Sequence, residues 1–151
     1  MEIVPIISIL IAEYVGDFLL QDRNMALNKS SKIEYLLLHI FYISSSLLIG
    51  FALLSVFYLV NVITVLKFVF AYCLMHGMQD WLIWRMYSWL IRMRYSCLDS
   101  NNNVFTDEEA VQLYIKNREY AEDKLFYDIM GLDRLLHVIT LIALFSVFFY
   151  F

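Results

Sequence analysis

The sequence predicts an all-α integral membrane protein, a bundle of four transmembrane helices with a short interfacial or cytoplasmic helical segment between the third and fourth. Three observations predict it. Of the 151 residues, 62% are hydrophobic and only 17% are charged, against a usual apolar share of roughly 45–50%. The mean hydropathy is +0.66, which leaves too little polar surface to cover a water-soluble globule. Four stretches also approach the ~20 apolar residues that a ~30 Å hydrocarbon core requires. One proline and four glycines argue against a loop-rich fold. The net charge of −4 supplies no basic surface for nucleic acid. Residues 1–151 read as a single transmembrane helical domain.

The first span covers about residues 3–20, with Pro5 in its first turn. No positive segment precedes it, and Glu13 and Asp17 interrupt where a signal peptide would place its apolar core and cleavage site, so it is expected to be retained. A polar loop, 21–32, follows. The second span covers about 33–59 and the third about 62–84, joined by a very short link centred on Asn61. Residues 85–126 form a cytoplasmic insertion. Its first part mixes Arg85, Arg92 and Arg94 with Trp84 at its edge, Tyr87, Trp89 and Tyr95, a belt suited to the membrane interface. Further on, Thr106 and Glu109 match a capping box that opens a short helix of mixed charge. The fourth span covers about 127–150. Cys73 and Cys97 read as unpaired thiols.

Lysine and arginine set the orientation. The first and third links hold Arg23, Lys29, Lys32, Arg85, Arg92, Arg94, Lys116, Arg118 and Lys124, while the opposite side has Lys67 alone. The positive-inside rule then places both longer links in the cytoplasm and both termini outside, in a bacterial inner or plasma membrane.

Ionisable residues inside the apolar spans carry the functional signal. Span one has Glu13 and Asp17, span two His39, span three His76 and Asp80, and span four Asp133 and His137. A charged group at mid-helix costs ~2.5–3.5 kcal/mol on insertion scales, so such residues face a bundle interior or water. Glu13/Asp17, His76/Asp80 and Asp133/His137 are each spaced i,i+4, which puts both members on one helix face about 6 Å apart along the axis. Spans one and three run opposite to span four, and the order of the pair is reversed in span four. All three therefore present an aspartate toward the cytoplasmic end and a Glu or His one turn deeper. Two stacked polar layers result: Asp17, Asp80 and Asp133, then Glu13, His39, His76 and His137.

Imidazole and carboxylate ligands inside a helical bundle suit zinc, manganese or iron, and the set is large enough for one metal with supporting partners or for two. A metal would also cancel buried negative charge. The plainer reading is a neutral hydrogen-bonded network acting as interhelical glue. Lys29 and Arg134 lie near the cytoplasmic mouth, where they attract an anionic group or simply snorkel. Ser44, Ser45, Ser46 and Gly50 permit close helix packing.

At these residues the chain resembles a family of small bacterial and phage membrane proteins, domain-of-unknown-function family 3307. The resemblance rests on Asp17-Phe18-Leu19-Leu20-Gln21, Lys29, the isolated His39, His76-x-x-x-Asp80 and Asp133-x-x-x-His137, and covers nearly the whole chain in order. In that family a histidine often stands four residues before the Asp-Phe motif, where this chain has Glu13. The resemblance implies a membrane bundle and no defined activity; its polar pattern is similar to that of membrane-bound metal-dependent hydrolases.

Three functions are expected, in this order. The first is a metal-dependent hydrolase acting on an amphipathic or lipid phosphate or ester at the cytoplasmic leaflet. In it His76, His137, Asp80 and Asp133 hold a divalent metal, His39 or Glu13 completes the site, Asp17 is the general base, and Lys29 and Arg134 position the anionic group. The second is proton or ion translocation along the same layers. The third is a non-catalytic accessory protein, such as a phage membrane protein, that binds another membrane protein or a second copy of itself.

Overall fold

The computed structural model describes residues 3–96 and 124–150. Cys97, the Thr106 capping box and the mixed-charge helix expected after it lie outside the described residues. Every element described is helical: α1 (Ile3–Tyr14), continuing into a π-helical turn (Val15–Leu19), then α2 (Arg23–Asn28), α3 (Ile33–Leu54), α4 (Val62–Ser96) and α5 (Lys124–Tyr150). Three helical segments are long and apolar enough to cross a membrane: α3, residues 62–91 of α4, and residues 125–149 of α5.

The elements depart from the expected boundaries for identifiable reasons. The segment 21–32, expected as a loop, contains α2, because Asp22 caps it by accepting from the Met25 backbone N–H at 2.7 Å. Met25 on this short helix is fully buried and anchors it to the bundle. The second span stops at Leu54, where the Phe57 N–H reaches the Leu54 carbonyl at 3.0 Å and closes a tight turn. Asn61 then caps α4 by accepting from the Ile63 and Thr64 N–H groups at 2.9 and 3.3 Å. The third span does not end near Trp84. Residues 78–96 hold neither glycine nor proline, so nothing breaks the helix, and Tyr87 and Trp89 ride on the same α4.

Along α4 and α5 the interior is divided into three levels. At one end Ile9, Ile43, Leu47, Phe51, Phe68, Leu141 and Phe145 form an apolar core. At the other, Ile83, Tyr87, Ile91, Phe126 and Ile129 form a smaller one. The ionisable residues fill the level between.

Close approach of α1 to α3 shapes that middle level. A Cβ on Gly16 would lie 2.8 Å from the Ile43 Cα and 3.2 Å from the Tyr42 carbonyl oxygen. Only glycine lets the two backbones meet there, one residue before Asp17. Gly50 faces Ala12 in the same way, and the Ser46 hydroxyl donates to the Ala12 carbonyl oxygen. Gly131, by contrast, has no atom within 4 Å of an added Cβ. Thermal unfolding in mild detergent should separate the two glycines. Gly16→Leu should destabilise by about 1–3 kcal/mol through overpacking, whereas Gly131→Ala should be neutral or stabilise by about 0.5–1 kcal/mol.

Candidate metal centre

Each pair spaced i,i+4 does face the bundle interior. Glu13, His39, His76, Asp80 and His137 are fully buried, and Asp17 and Asp133 nearly so. The π-turn that begins at Val15 closes with the Leu20 N–H on the Val15 carbonyl at 3.0 Å. It keeps Asp17 on the interior side below Glu13.

Four side chains from three segments, the π-turn, α3 and α4, converge most tightly. His39 Nε2 lies 3.2 Å from Asp17 Oδ1 and 3.1 Å from Asp80 Oδ2. His76 Nε2 lies 3.3 Å from His39 Nε2, 3.4 Å from Asp80 Oδ2 and 3.8 Å from Asp17 Oδ1. His39 was counted with the deeper layer, but its ring reaches the aspartate level. A helical side chain leans toward the N-terminus of its own helix, and in α3 that direction leads to Asp17 and Asp80.

The second oxygen of each aspartate is held by a cation. Asp80 Oδ1 forms an ion pair with Lys29 Nζ at 2.7 Å. Asp17 Oδ2 accepts from Arg134 Nη1 at 3.0 Å, and the same nitrogen donates to Glu13 Oε1 at 2.6 Å. Lys29 is thus not an open cation at the mouth. Its side chain is 5% exposed and turns inward, with Nζ 3.4 Å from His39 Nε2. Arg134 retains 25% exposure and packs its guanidinium over Tyr14 and Phe18.

The histidines are oriented in turn. The Tyr72 hydroxyl donates to Glu13 Oε1 at 3.1 Å and lies 3.3 Å from His76 Nδ1. That places a tyrosine between a carboxylate and the far nitrogen of a histidine whose near nitrogen faces the cluster. Sequence reasoning passed over Tyr72; its spacing of four before His76, on the face of Asp80, was the available signal. Trp84, read as part of an interfacial belt, donates from Nε1 to Asp133 Oδ2 at 3.2 Å. The His137 ring stacks on His76 with centroids 3.8 Å apart.

Three groups of residues hold ligand atoms within metal-binding reach of one another: Asp17, His39 and His76; Glu13, His76 and His137; and Asp80, Asp133 and His137. A cavity of about 280 Å³ opens beside them, lined by Asp17, Lys29, Asp133 and Arg134 together with Phe18, Trp84, Phe126 and Met130. A larger cavity of about 500 Å³ lies at the opposite end of the bundle, against Phe51, Tyr58 and Phe145, and is lined by no carboxylate, imidazole or cation. The chemistry sits with the smaller one.

No family model matches the chain, and no curated protein and no solved structure matches it either. Function is therefore argued from the site itself.

The Lys29–Asp80 pair is the most deeply buried ion pair described. Lys29→Met strands a buried carboxylate, and breaking such a pair costs about 3–5 kcal/mol. The single variant should melt well below wild type in detergent, and Lys29→Met/Asp80→Asn should recover most of the loss.

Proposed function

We propose that this chain is a four-span membrane protein that binds a divalent metal through Asp17, His39, His76 and Asp80 and hydrolyses an amphipathic phosphate or ester at the cytoplasmic leaflet. The observation that carries the metal reading is the spacing of the four ligand atoms. A tetrahedral ion with arms of 2.0–2.1 Å separates its ligands by about 3.3–3.4 Å, and the five of the six separations that involve a histidine run from 3.1 to 3.8 Å.

Charge and hydrogen bonding support it. Glu13, Asp17, Asp80 and Asp133 bring four carboxylates into the interior against Lys29 and Arg134, which leaves two negative charges for a divalent ion to cancel. Protonating His39 and His76 instead would aim two N–H donors at each other across 3.3 Å. Three of the four ligands have the supporting contacts that metal ligands need: each aspartate gives its other oxygen to a cation and His76 gives its other nitrogen to Tyr72, whereas His39 Nδ1 has no partner among the described residues.

The remaining parts of the reading follow from placement. In α1 and its π-turn, Val4, Ile7, Ile11, Tyr14 and Phe18 form an exposed apolar stripe on the face away from Glu13 and Asp17. A helix with apolar residues outward and carboxylates inward fits a lipid-facing first span. Its 17 residues reach about 25 Å, within the mismatch a bilayer absorbs by local thinning. The excess of lysine and arginine in the first and third links puts the small cavity at the cytoplasmic side. The cavity lining mixes aromatic with charged side chains, which suits a molecule with an apolar body and a charged head.

A divalent ion would supply Lewis acidity and activate water near neutral pH. The chain's own residues fix the ligands, exclude bulk water and hold the head group near Arg134. We place Asp17 among the ligands rather than as general base, since its two oxygens are committed to the cluster and to Arg134. Proton translocation is the weaker reading. From Lys29 to Glu13 the polar contacts are continuous, but beyond Tyr72 the core passes into Phe68, Phe51 and Phe145.

Mass spectrometry on protein purified in mild detergent, without chelator or a histidine tag, tests the proposal. Wild type should retain at least one equivalent of zinc, manganese or iron and cleave phosphatidic acid or a chromogenic phosphate or carboxylic ester in mixed micelles. A folded His76→Ala/Asp80→Ala variant should lose both. Absence of metal in wild type, even after adding these ions, would defeat the reading. Tyr72→Phe should fold yet bind metal about 10–100-fold more weakly, as measured by competition with a chelating dye.

A further inference from the structure

We infer that Asp80, Asp133 and His137 form a second divalent-cation site beside the first, so that the centre takes a pair of ions and an anionic phosphate ester across them. This rests on the metal reading of the first site and extends it through Asp80 to Asp133 and His137, which that site does not use.

The ligand atoms of the three residues lie within 4.8 Å of one another, and all three are buried. Among the described residues, neither nitrogen of the fully buried His137 ring has a hydrogen-bond partner, and Asp133 Oδ1 has none. A neutral imidazole carries one N–H and one lone pair. Leaving both unsatisfied in an apolar interior is costly, and such a group in a native protein calls for a water or an ion. His137 Nε2 stands 3.7 Å from Asp133 Oδ1. That is too far for a hydrogen bond, yet close to the spacing of two ligands on one ion.

The supporting contacts repeat those of the first site. Asp133 turns one oxygen inward and gives the other to Trp84 Nε1, and the stack on His76 fixes the plane of the His137 ring. Asp80 is common to both sites and would bridge the ions through Oδ2, since its Oδ1 is paired with Lys29. The other group that includes His137, with Glu13 and His76, offers the unpartnered Glu13 Oε2, but both nitrogens of His76 are taken, Nδ1 by Tyr72 and Nε2 by the first site.

Charge argues for the pair and names the ligand class. One divalent ion brings the centre to neutrality, because Lys29 and Arg134 are already spent on carboxylates. A neutral centre does not draw an anion. A second ion leaves it positive beside a cavity that Asp133 lines, which suits a phosphate ester bound across two metals. Two carboxylates with one imidazole are a harder donor set than that of the first site, and accept manganese more readily than the first site does.

Titrating the chelator-stripped full chain with Mn²⁺ in mild detergent tests this, read by bound-metal stoichiometry and electron paramagnetic resonance. Wild type should bind two ions per chain and show the spectrum of an exchange-coupled pair. His137→Ala should bind one, with an uncoupled six-line spectrum, and Asp133→Asn serves the same purpose where His137→Ala does not fold. One ion in wild type, or an undiminished pair in both variants, would overturn the second site and leave the first standing. No bound ion in wild type would overturn the first as well.

Discussion

Four carboxylates lie in the interior of a bundle whose outer face is apolar, and the cations they require organise nearly every other polar group in the structure. Each charge left alone at that depth costs several kcal/mol. Lys29 is drawn from a surface link to Asp80, and Arg134 is drawn across the bundle to Glu13 and Asp17. These two contacts tie the first link to α4 and α5 to α1, so the ion pairs also brace the helix packing. The two cations still fall short of four carboxylates: Glu13 and Asp17 share Arg134, and Asp133 has Trp84 rather than a cation against one oxygen.

Local backbone features serve that centre. Gly16 lets the chain of α1 and its π-turn approach α3 closely, and the π-turn that contains it carries Asp17 into the interior. Substituting a larger residue there would displace a carboxylate and open a packed seam together. The cap on α2 by Asp22 sets the path of the chain that delivers Lys29 inward. Large apolar cores on either side of the ionisable level hold α4 and α5 in register, so that His76 and His137 stack and Asp80 and Asp133 share a level.

Much of this was legible in the sequence, because the lipid environment allows few alternatives. Long apolar runs must be helices when every backbone group needs an internal partner. Residues spaced i,i+4 on such helices must share a face, which is why the three pairs could be aligned by depth before any coordinates were considered. The reach of side chains was not legible. A count of residues places Cα atoms, whereas His39, Lys29 and Arg134 act one turn or more from their own Cα. Tyr72 was hidden for another reason, since a tyrosine in an aromatic-rich span gives no signal until its hydroxyl is seen between Glu13 and His76. The continuation of α4 through Ser96 was missed because a belt of arginine and tryptophan marks an interface without ending a helix.

X-ray absorption spectroscopy of the protein loaded with one equivalent of zinc tests the central claim most directly, because it reads the ligand atoms themselves. The account predicts two imidazole nitrogens and two carboxylate oxygens at about 2.0–2.1 Å, with one imidazole lost in His39→Ala. A shell of oxygens alone, or one unchanged by removing His39, would place the metal elsewhere and contradict the account.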